Sequence, residues 1–321
     1  MPGQSVGAVH INAPLSNLAR LYRPLEAGFI ANEVCPILPV NNESDVYYVF
    51  TQGDFYGTDV DDLIADRMEP REVEFSHSTE GYQCQRRELA WTVSDRERKN
   101  ADDQLRLERN KQVGTLGRLF LKREARIASL LRKVANGGKM TLGGNAGTKW
   151  DHVTNTTYAT VLGDVVAGIT GVRQAIGIRP NVIIIPAAVA EGLHKTAFFS
   201  GLQAYTRGSE QSQPLFEQYP LLPPTLWGMR VLVPGVIQNT AVEGQTESYS
   251  DVWGEAVRLL YVTPNAAIES PSIAYTFQSE PLETRQERRE SRRVDWHATG
   301  FTIDERIVAA SAGWEIADAL T

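Results

Sequence analysis

The stretch between residues 101 and 135 most restricts how this chain can fold. Apolar side chains recur there at helical spacing and form one stripe, made of Val113, Leu116, Phe120, Ile127, Leu131 and Val134. Asp102 and Asp103 suit the start of a helix, and Asn136 followed by two glycines suits its end. At 1.5 Å per residue such a helix is about 50 Å long, which exceeds a typical globular helix. The pattern therefore predicts an elongated molecule built along one long helix.

Charge is divided unevenly on the two sides of residue 99. Residues 41–98 carry fourteen acidic and six basic side chains, a net charge of −8, within a chain whose total is −7. Residues 99–150 carry four acidic and twelve basic side chains, a net charge of +8. This asymmetry predicts electrostatic pairing within or between subunits, or a basic face toward a polyanion. Chance clustering of charges on solvated faces is the alternative.

The first hundred residues are predicted not to bury themselves, because the arm exposes apolar side chains and segment 41–93 has too few of them to form its own core. Five prolines interrupt residues 1–40, which predicts an extended arm, because proline removes a backbone donor and breaks helices. Residues 46–50 and 82–93 are strand-like, and the Gly- and Asp-rich stretch between them indicates a loop. Segment 41–93 is thus predicted to be a long β-hairpin with an acidic end. Since a two-stranded ribbon is only marginally stable alone, we expect other copies to cover both segments.

The remainder of the chain has the pattern of an α+β domain. Residues 160–177 form a second amphipathic helix, and residues 182–185 are a short, wholly apolar strand that suits burial on both faces. Pro186 favours the first turn of a further helix. Later strands are predicted at 229–233, 257–262, 272–277, 293–299 and 301–309.

The sequence lacks the motifs on which an enzyme, metal or cofactor assignment usually rests. The histidines have no metal-ligand spacing, no G-x-S-x-G motif occurs, and the glycines around Lys139 lack the phosphate-binding order. Cys35 and Cys84 do not make a disulfide framework. Neither a secretory signal nor an apolar run of membrane length is present. We predict no catalytic residue, metal, cofactor or membrane contact; an α+β enzyme that uses Cys84, or a cleft in 160–265, is the alternative.

A second charged segment, residues 283–293, mixes acidic side chains with closely spaced arginines. Its basic members are Arg285, Arg288, Arg289, Arg292 and Arg293. Two interpretations are open, a solvated face that compensates its own charge and a strip of ion pairs between subunits. Exposed ion pairs contribute only about 0–1 kcal/mol each, so such a strip would fix register more than affinity.

Several short sequences, in a fixed order along the chain, are similar to those of one known family. The turn at 177–181 (GIRPN) before an apolar strand resembles a G-x-x-P-N turn. Residues 252–254 (VWG), 272–277 (SIAYTF) and 308–314 (VAASAGW) resemble three later stretches. The order of arm, acidic hairpin, long basic helix, Gly-rich loop and α+β domain agrees as well. The chain thus resembles the major capsid proteins of tailed bacteriophages, which have the Hong Kong 97-type fold.

This resemblance implies an α+β capsid fold with six regions. They are an N-terminal arm (1–40), an extended loop (41–93), a peripheral domain with the spine helix (94–150), an axial domain (151–265), peripheral return strands (266–303) and a C-terminal strand that returns to the axial domain (304–321). The resemblance further implies that the arm and the loop reach onto neighbouring subunits. The axial domain would pack around five-fold and six-fold axes.

The function implied by the resemblance is that of a major capsid protein of a virion. Copies would form pentamers and hexamers that close, in the host cytoplasm, into an icosahedral head around double-stranded DNA. The DNA would be held by non-specific contact, and scaffolding, portal and decoration proteins are candidate partners. An encapsulin-like compartment shell, which shares the fold, is the alternative.

The charge asymmetry then predicts particular contacts between subunits. The acidic loop of one copy would lie across the basic helix of its neighbour, and the predicted contact residues are Asp59, Asp61, Asp62, Asp66, Arg118, Lys122, Arg126, Arg288, Arg289 and Arg292. The competing use of the basic helix is to face packaged DNA.

Two departures from the family affect how a shell would be held together. Residues 1–98 contain no lysine, so the lysine–asparagine isopeptide bond that joins some shells of the family is unavailable from this loop. We therefore expect non-covalent contacts between subunits. The sequence also leaves no room for a scaffolding segment before the arm, so we expect any scaffold to be a separate protein.

Overall fold

The computed structural model describes residues 10–11, 28–50, 63, 72, 77–100, 104–196, 198, 222–264 and 272–320. These residues form an α+β fold, as the sequence predicted. The elements of the first part are β1 (His10–Ile11), α1 (Ala31–Val34), β2 (Ile37–Pro39), β3 (Ser44–Phe50), β4 (His77–Gln83), β5 (Gln85–Ser94), α2 (Asp95–Asn100) and α3 (Gln104–Leu130).

The second part of the chain alternates helices and short strands and ends with two long strands and a short one. Its elements are a 3₁₀ turn (Val134–Asn136), β6 (Leu142–Asn145), α4 (Tyr158–Ile176), β7 (Val182–Ile184), α5 (Ala187–His194), β8 (Thr225–Leu226), β9 (Met229–Leu232), β10 (Ile237–Asn239), β11 (Tyr249–Asp251), β12 (Val257–Leu260), β13 (Ala274–Arg289), β14 (Val294–Ile307) and β15 (Gly313–Ala317).

The first sheet supports the long helix α3. Its strand order is β1-β13-β14-β5, and β2 adds in parallel to β13. Leu119 of α3 packs with Phe301 and Ile303 of β14, and Phe120 of the predicted stripe packs against them. Ile127 and Leu131 of the stripe enter the main core, whereas Val134 lies in the 3₁₀ turn and is 59% exposed, so its predicted place on the buried stripe was wrong.

The predicted strands 293–299 and 301–309 are a single strand, β14. Gly300 lies within it because a Cβ there would stand 2.6 Å from the Arg87 carbonyl oxygen of β5.

The second sheet has the order β6-β15-β12-β7-β9-β8 and carries helices α4 and α5. Helix α4 begins at a capping box between Thr157 and Thr160 and ends at Gly177, whose φ of 69° suits glycine. Strand β7 is buried along its whole length, as its β-branched composition predicted. The C-terminal strand β15 pairs with β12 and β6, so the chain end returns to this sheet. The predicted boundary at 304 falls inside β14 of the first sheet.

Of the hairpin predicted at 41–93, the described residues include the base. Strands β3 and β4 pair antiparallel, with Ser44 opposite Gln83 and Phe50 opposite His77. The predicted strand 82–93 divides at Cys84, because Cys84 is buried against the first sheet and β5 then joins that sheet. Most of the tip, 51–76, lies outside the described residues.

Part of the first hundred residues is covered by the chain itself, which corrects the expectation that only other copies could cover them. Tyr82 stacks on Phe277 with ring centroids 4.4 Å apart, and Tyr47 lies beside the same ring at 5.3 Å. Ile30 and Val34 enter the main core between α3 and the second sheet. The base of the hairpin and the end of the arm are therefore anchored in the subunit that carries them.

Candidate assembly surfaces

A groove runs between α3 and the edge of β5. It has a volume of about 280 Å³ and is lined by Leu89, Ala90, Thr115, Arg118, Leu121 and Lys122. Its floor is apolar, whereas its rim carries two exposed cations. Among the described residues, neither of these cations forms an ion pair. This basic groove can therefore accept an anionic segment that also carries an apolar side chain.

Arg126, the third predicted base of the helix, already has a partner in its own chain. Its guanidinium donates to both carboxylate oxygens of Glu305, with an Nη2–Oε1 distance of 2.6 Å and an Nε–Oε2 distance of 3.1 Å. The side chain of Glu305 is only 4% exposed. Arg126 thus fastens α3 to β14, and the structure brings together Arg118 and Lys122 but not all three bases.

The acidic partners predicted for this groove lie outside the described residues. They are Asp59, Asp61, Asp62 and Asp66. Leu63, which stands among them in the sequence, is described and is 83% exposed. The contact between the acidic loop and the basic helix therefore stays a prediction.

The arginines of the 283–293 segment mostly find acidic partners within the chain. Arg288 donates to both oxygens of Asp95 at 2.7 Å and to Asp295 at 3.2 Å. Its hydrogen bonds to Asp95 raise the pKa of Arg288, and the same contact lowers the pKa of Asp95. Arg285 donates to Glu88 at 2.7 and 2.8 Å. For these two arginines the structure favours the self-compensating interpretation.

Residues 290–293, at the end of the same segment, are exposed to solvent. Arg289 pairs with Glu287 at 3.2 Å and lies over the Trp296 ring at 4.6 Å from its centroid. Arg292 stands exposed in the turn between β13 and β14, beside Arg293, whose φ of 53° is left-handed. The role of Arg288, Arg289 and Arg292 between subunits stays a prediction.

A buried polar cluster fastens the end of the arm to α3. The carboxylate of Glu124 accepts hydrogen bonds from the Ile30 amide (2.9 Å), the Ala31 amide (3.0 Å) and Trp253 Nε1 (2.8 Å). Arg123 donates to Asn32 and, at 3.1 Å, to Thr276 Oγ1. Burial raises the pKa of Glu124 and lowers the pKa of Arg123.

Sequence reasoning missed this cluster, although a signal was present. Glu124 follows Phe120 by four residues and precedes Ile127 by three, which places it on the apolar stripe of the helix. A charged side chain on a stripe that must be buried needs partners. Those partners lie more than ninety residues away along the chain, so the sequence pattern alone does not identify them.

A second buried pair joins the end of α3 to the second sheet. Glu315 of β15 accepts from the Lys133 amide at 2.8 Å and from the Asn136 side chain. Arg258 of β12 lies with its Nε 3.8 Å from Glu315 Oε2, and its guanidinium donates to the Trp253 carbonyl at 3.1 Å. Burial lowers the pKa of Arg258 to about 10. Glu315 thus connects the turn that follows α3 to the second sheet, while Arg258 lies opposite it in the same sheet.

Cys84, the nucleophile of the alternative enzyme prediction, is buried. Burial raises the pKa of the Cys84 thiol, which is the opposite of what a nucleophilic cysteine needs. Its Sγ donates to the Phe277 carbonyl at 3.5 Å. Within the described ranges no group of His, Cys, Asp and Glu could hold a metal ion. None of the described helices is long and apolar enough to cross a membrane.

Comparison with known proteins shows which solved structures share this fold. No protein-family model matches the sequence, and no curated protein matches it significantly. A phage-related protein from Bordetella bronchiseptica RB50 superposes with a TM-score of 0.67 at 19% identity, over 97% of this chain and 98% of that chain. The mature capsid of bacteriophage PhiM1 gives a TM-score of 0.55 at 13% identity, over 92% and 87%.

A virus-like particle from Pyrococcus furiosus is also similar, with a TM-score of 0.51 at 12% identity over 94% of this chain and 95% of that chain. The fold is therefore shared with structures of a phage capsid and of a virus-like particle. More particularly, the chain has the Hong Kong 97-type fold of phage major capsid proteins, as its sequence resemblance implied.

Proposed function

We propose that this chain is a major capsid protein whose copies form pentamers and hexamers of an icosahedral phage head. The observation that carries the proposal is structural similarity to a phage capsid over nearly the whole of both chains. In this proposal the protein belongs to the virion, is assembled in the host cytoplasm and has no catalytic activity.

The basic groove supports a specific contact within such a shell. Arg118 and Lys122 flank an apolar floor, and the acidic loop around Leu63 has the matching sequence pattern. We propose that Leu63 and its neighbouring aspartates enter the groove of an adjacent subunit. Opposite charges at its rim would fix the register of the loop, while the apolar side chain would add burial.

Electron microscopy of the purified chain tests both proposals. The wild-type chain should form closed particles, and the double variant Arg118→Glu/Lys122→Glu should form far fewer. Arg126 is left unchanged because its loss would leave the buried Glu305 carboxylate without its ion-pair partner and would destabilise the fold. The double variant Arg109→Glu/Lys139→Glu, at exposed positions outside the groove, is the matched control. Normal assembly of the groove variant would reject the loop contact.

DNA binding by the basic helix is the competing use of the same residues. In that case the groove variant should form empty shells of normal yield and fail only to retain DNA, because phosphates attract Lys and Arg without sequence preference. Comparing particle yield with nucleic-acid content therefore separates the two uses.

The similarity to the Pyrococcus furiosus particle favours a second candidate function, an encapsulin-like compartment shell. The contents of purified particles distinguish the two. Double-stranded DNA inside the shell supports the phage head, whereas a cargo protein supports the compartment. A small soluble oligomer with a deep polar pocket would instead support the α+β enzyme.

A further inference from the structure

The ribbon of residues 237–251 extends beyond the second sheet. Its strands β10 and β11 pair with each other and with no other described strand. The ribbon is held at its base, where the Val252 amide donates to the Val236 carbonyl at 3.0 Å. Residues 242–250 are all exposed. A two-stranded ribbon of this kind has little stability unless something packs on it.

One face of the ribbon carries two large apolar side chains that are open to solvent, beside Asn239 and Asp251. In the antiparallel register Ile237 opposes Asp251 and Asn239 opposes Tyr249, so Ile237 and Tyr249 lie on the same face. They are 55% and 58% exposed, and Val242 near the tip is 71% exposed. Clustered exposed apolar side chains of this size mark an interaction surface.

The charge of the ribbon has a single sign. It carries Glu243, Glu247 and Asp251, and the sequence has no lysine or arginine between 231 and 257. A partner surface should therefore be apolar, lack acidic side chains and carry positive charge at one end.

Helix α4 presents such a surface on the side that faces away from the sheet. Val161, Val165 and Val172 are buried, whereas Val166 on the opposite side is 48% exposed. Its exposed neighbours are small, namely Ala159, Gly163 and Ala167.

Positive charge is found only toward the C-terminal end of this helix. Arg173 and Arg179 are exposed there, and neither forms an ion pair with another described residue. The one acid of the helix, Asp164, is engaged elsewhere, because it accepts from the Gly147 amide (3.1 Å) and from Trp150 Nε1 (2.9 Å). The outer face of α4 is thus apolar in its middle and basic at its end.

We infer that the ribbon of one copy docks on the outer face of α4 of the next copy, with Glu243 and Glu247 against Arg173 and Arg179. This inference rests on the proposed shell function and names the contact that would close its rings. Because the two surfaces differ and both belong to every copy, the contact is heterologous, and repetition by a closing rotation produces a ring.

Charge reversal in the full-length chain tests the contact. One variant is Glu243→Lys/Glu247→Lys, a second is Arg173→Glu/Arg179→Glu, and a third combines all four changes. Each double variant should lower the yield of rings and particles at least about tenfold, since it places like charges together. The combined variant restores opposite charges and should return the yield to within about twofold of wild type. Glu191→Lys, at an exposed position on α5, is the control and should assemble normally.

Native mass spectrometry and negative-stain microscopy give the readout, and circular dichroism checks that each variant is folded. If the wild type assembles and both double variants assemble equally well, the ring contact is wrong while the shell function stands. If the ribbon variant fails but the helix variant assembles, the ribbon has another partner, such as the ribbon of a second copy, and the inference is overturned. If the wild-type chain forms neither rings nor shells, the proposed function fails, and the ring contact with it.

Discussion

Replacing Glu124 tests how the arm is attached to the body of the subunit. In Glu124→Ala, three donors that now point at the carboxylate, the two amides of residues 30 and 31 and the Trp253 indole, lose their acceptor inside the core. Each orphaned donor costs about 1–3 kcal/mol. Burial of the carboxylate is itself unfavourable, as its raised pKa shows, and its removal offsets part of that cost. We expect a net loss of about 3–5 kcal/mol in the free energy of unfolding.

The pH dependence of the same site gives an independent check. Because the folded-state pKa of Glu124 lies above its ordinary value, the folded state binds the proton more tightly than the unfolded chain. The stability that protonated Glu124 contributes is therefore complete below the unfolded pKa and is lost as pH rises through the folded pKa. Glu124→Gln cannot titrate, so its deficit relative to wild type should widen as pH falls.

Urea unfolding of the full chain measures the loss, and hydrogen exchange of the Ile30 and Ala31 amides locates it. Glu191→Gln, an exposed carboxylate on α5, is the matched control and should change stability by less than about 0.5 kcal/mol. A loss below about 1 kcal/mol for Glu124→Ala, or unchanged exchange of the two amides, would refute the reasoning.

Three further predictions concern the body of the subunit. Arg126→Met leaves the buried Glu305 carboxylate unpaired and should cost about 3–5 kcal/mol in urea unfolding, whereas exposed Arg109→Met should be nearly neutral. Gly171→Ala places a Cβ 2.3 Å from the Trp314 ring and should cost about 1–3 kcal/mol, while Gly114→Ala, with nothing within 4 Å, should stabilise α3 by about 0.5–1 kcal/mol; equal melting temperatures would contradict this. Burial lowers the pKa of His297, so its contribution to stability is lost as pH falls below the unfolded value of about 6.5, and His297→Phe should flatten the decline in melting temperature between about pH 7 and 5.

The sequence predicted the helices and strands better than it predicted the long-range contacts between them. The capped helix α4 and the buried strand β7 follow from local periodicity and turn chemistry, so their positions came out within a few residues, whereas α3 ends at Leu130 and not at the predicted 135. The division of the 82–93 strand at Cys84 depends on Phe277, nearly two hundred residues away. Likewise, the partner of Arg126 lies on β14, and no local pattern distinguishes that arginine from Arg118 and Lys122.

The placement of charge indicates which residues hold the subunit together and which remain for assembly. Glu124, Arg258 and Glu315 are buried at joins between the arm, the long helix and the second sheet, where an unpaired charge would be most costly. Arg118, Lys122, Glu243 and Glu247 are exposed, and among the described residues they have no ion-pair partners. Changes in the first group should therefore alter unfolding before assembly, and changes in the second should alter assembly while the subunit stays folded. If changes in the exposed group altered unfolding as much as changes in the buried group do, the exposed charges would not be assembly contacts. The shell interpretation would then lose its physical basis.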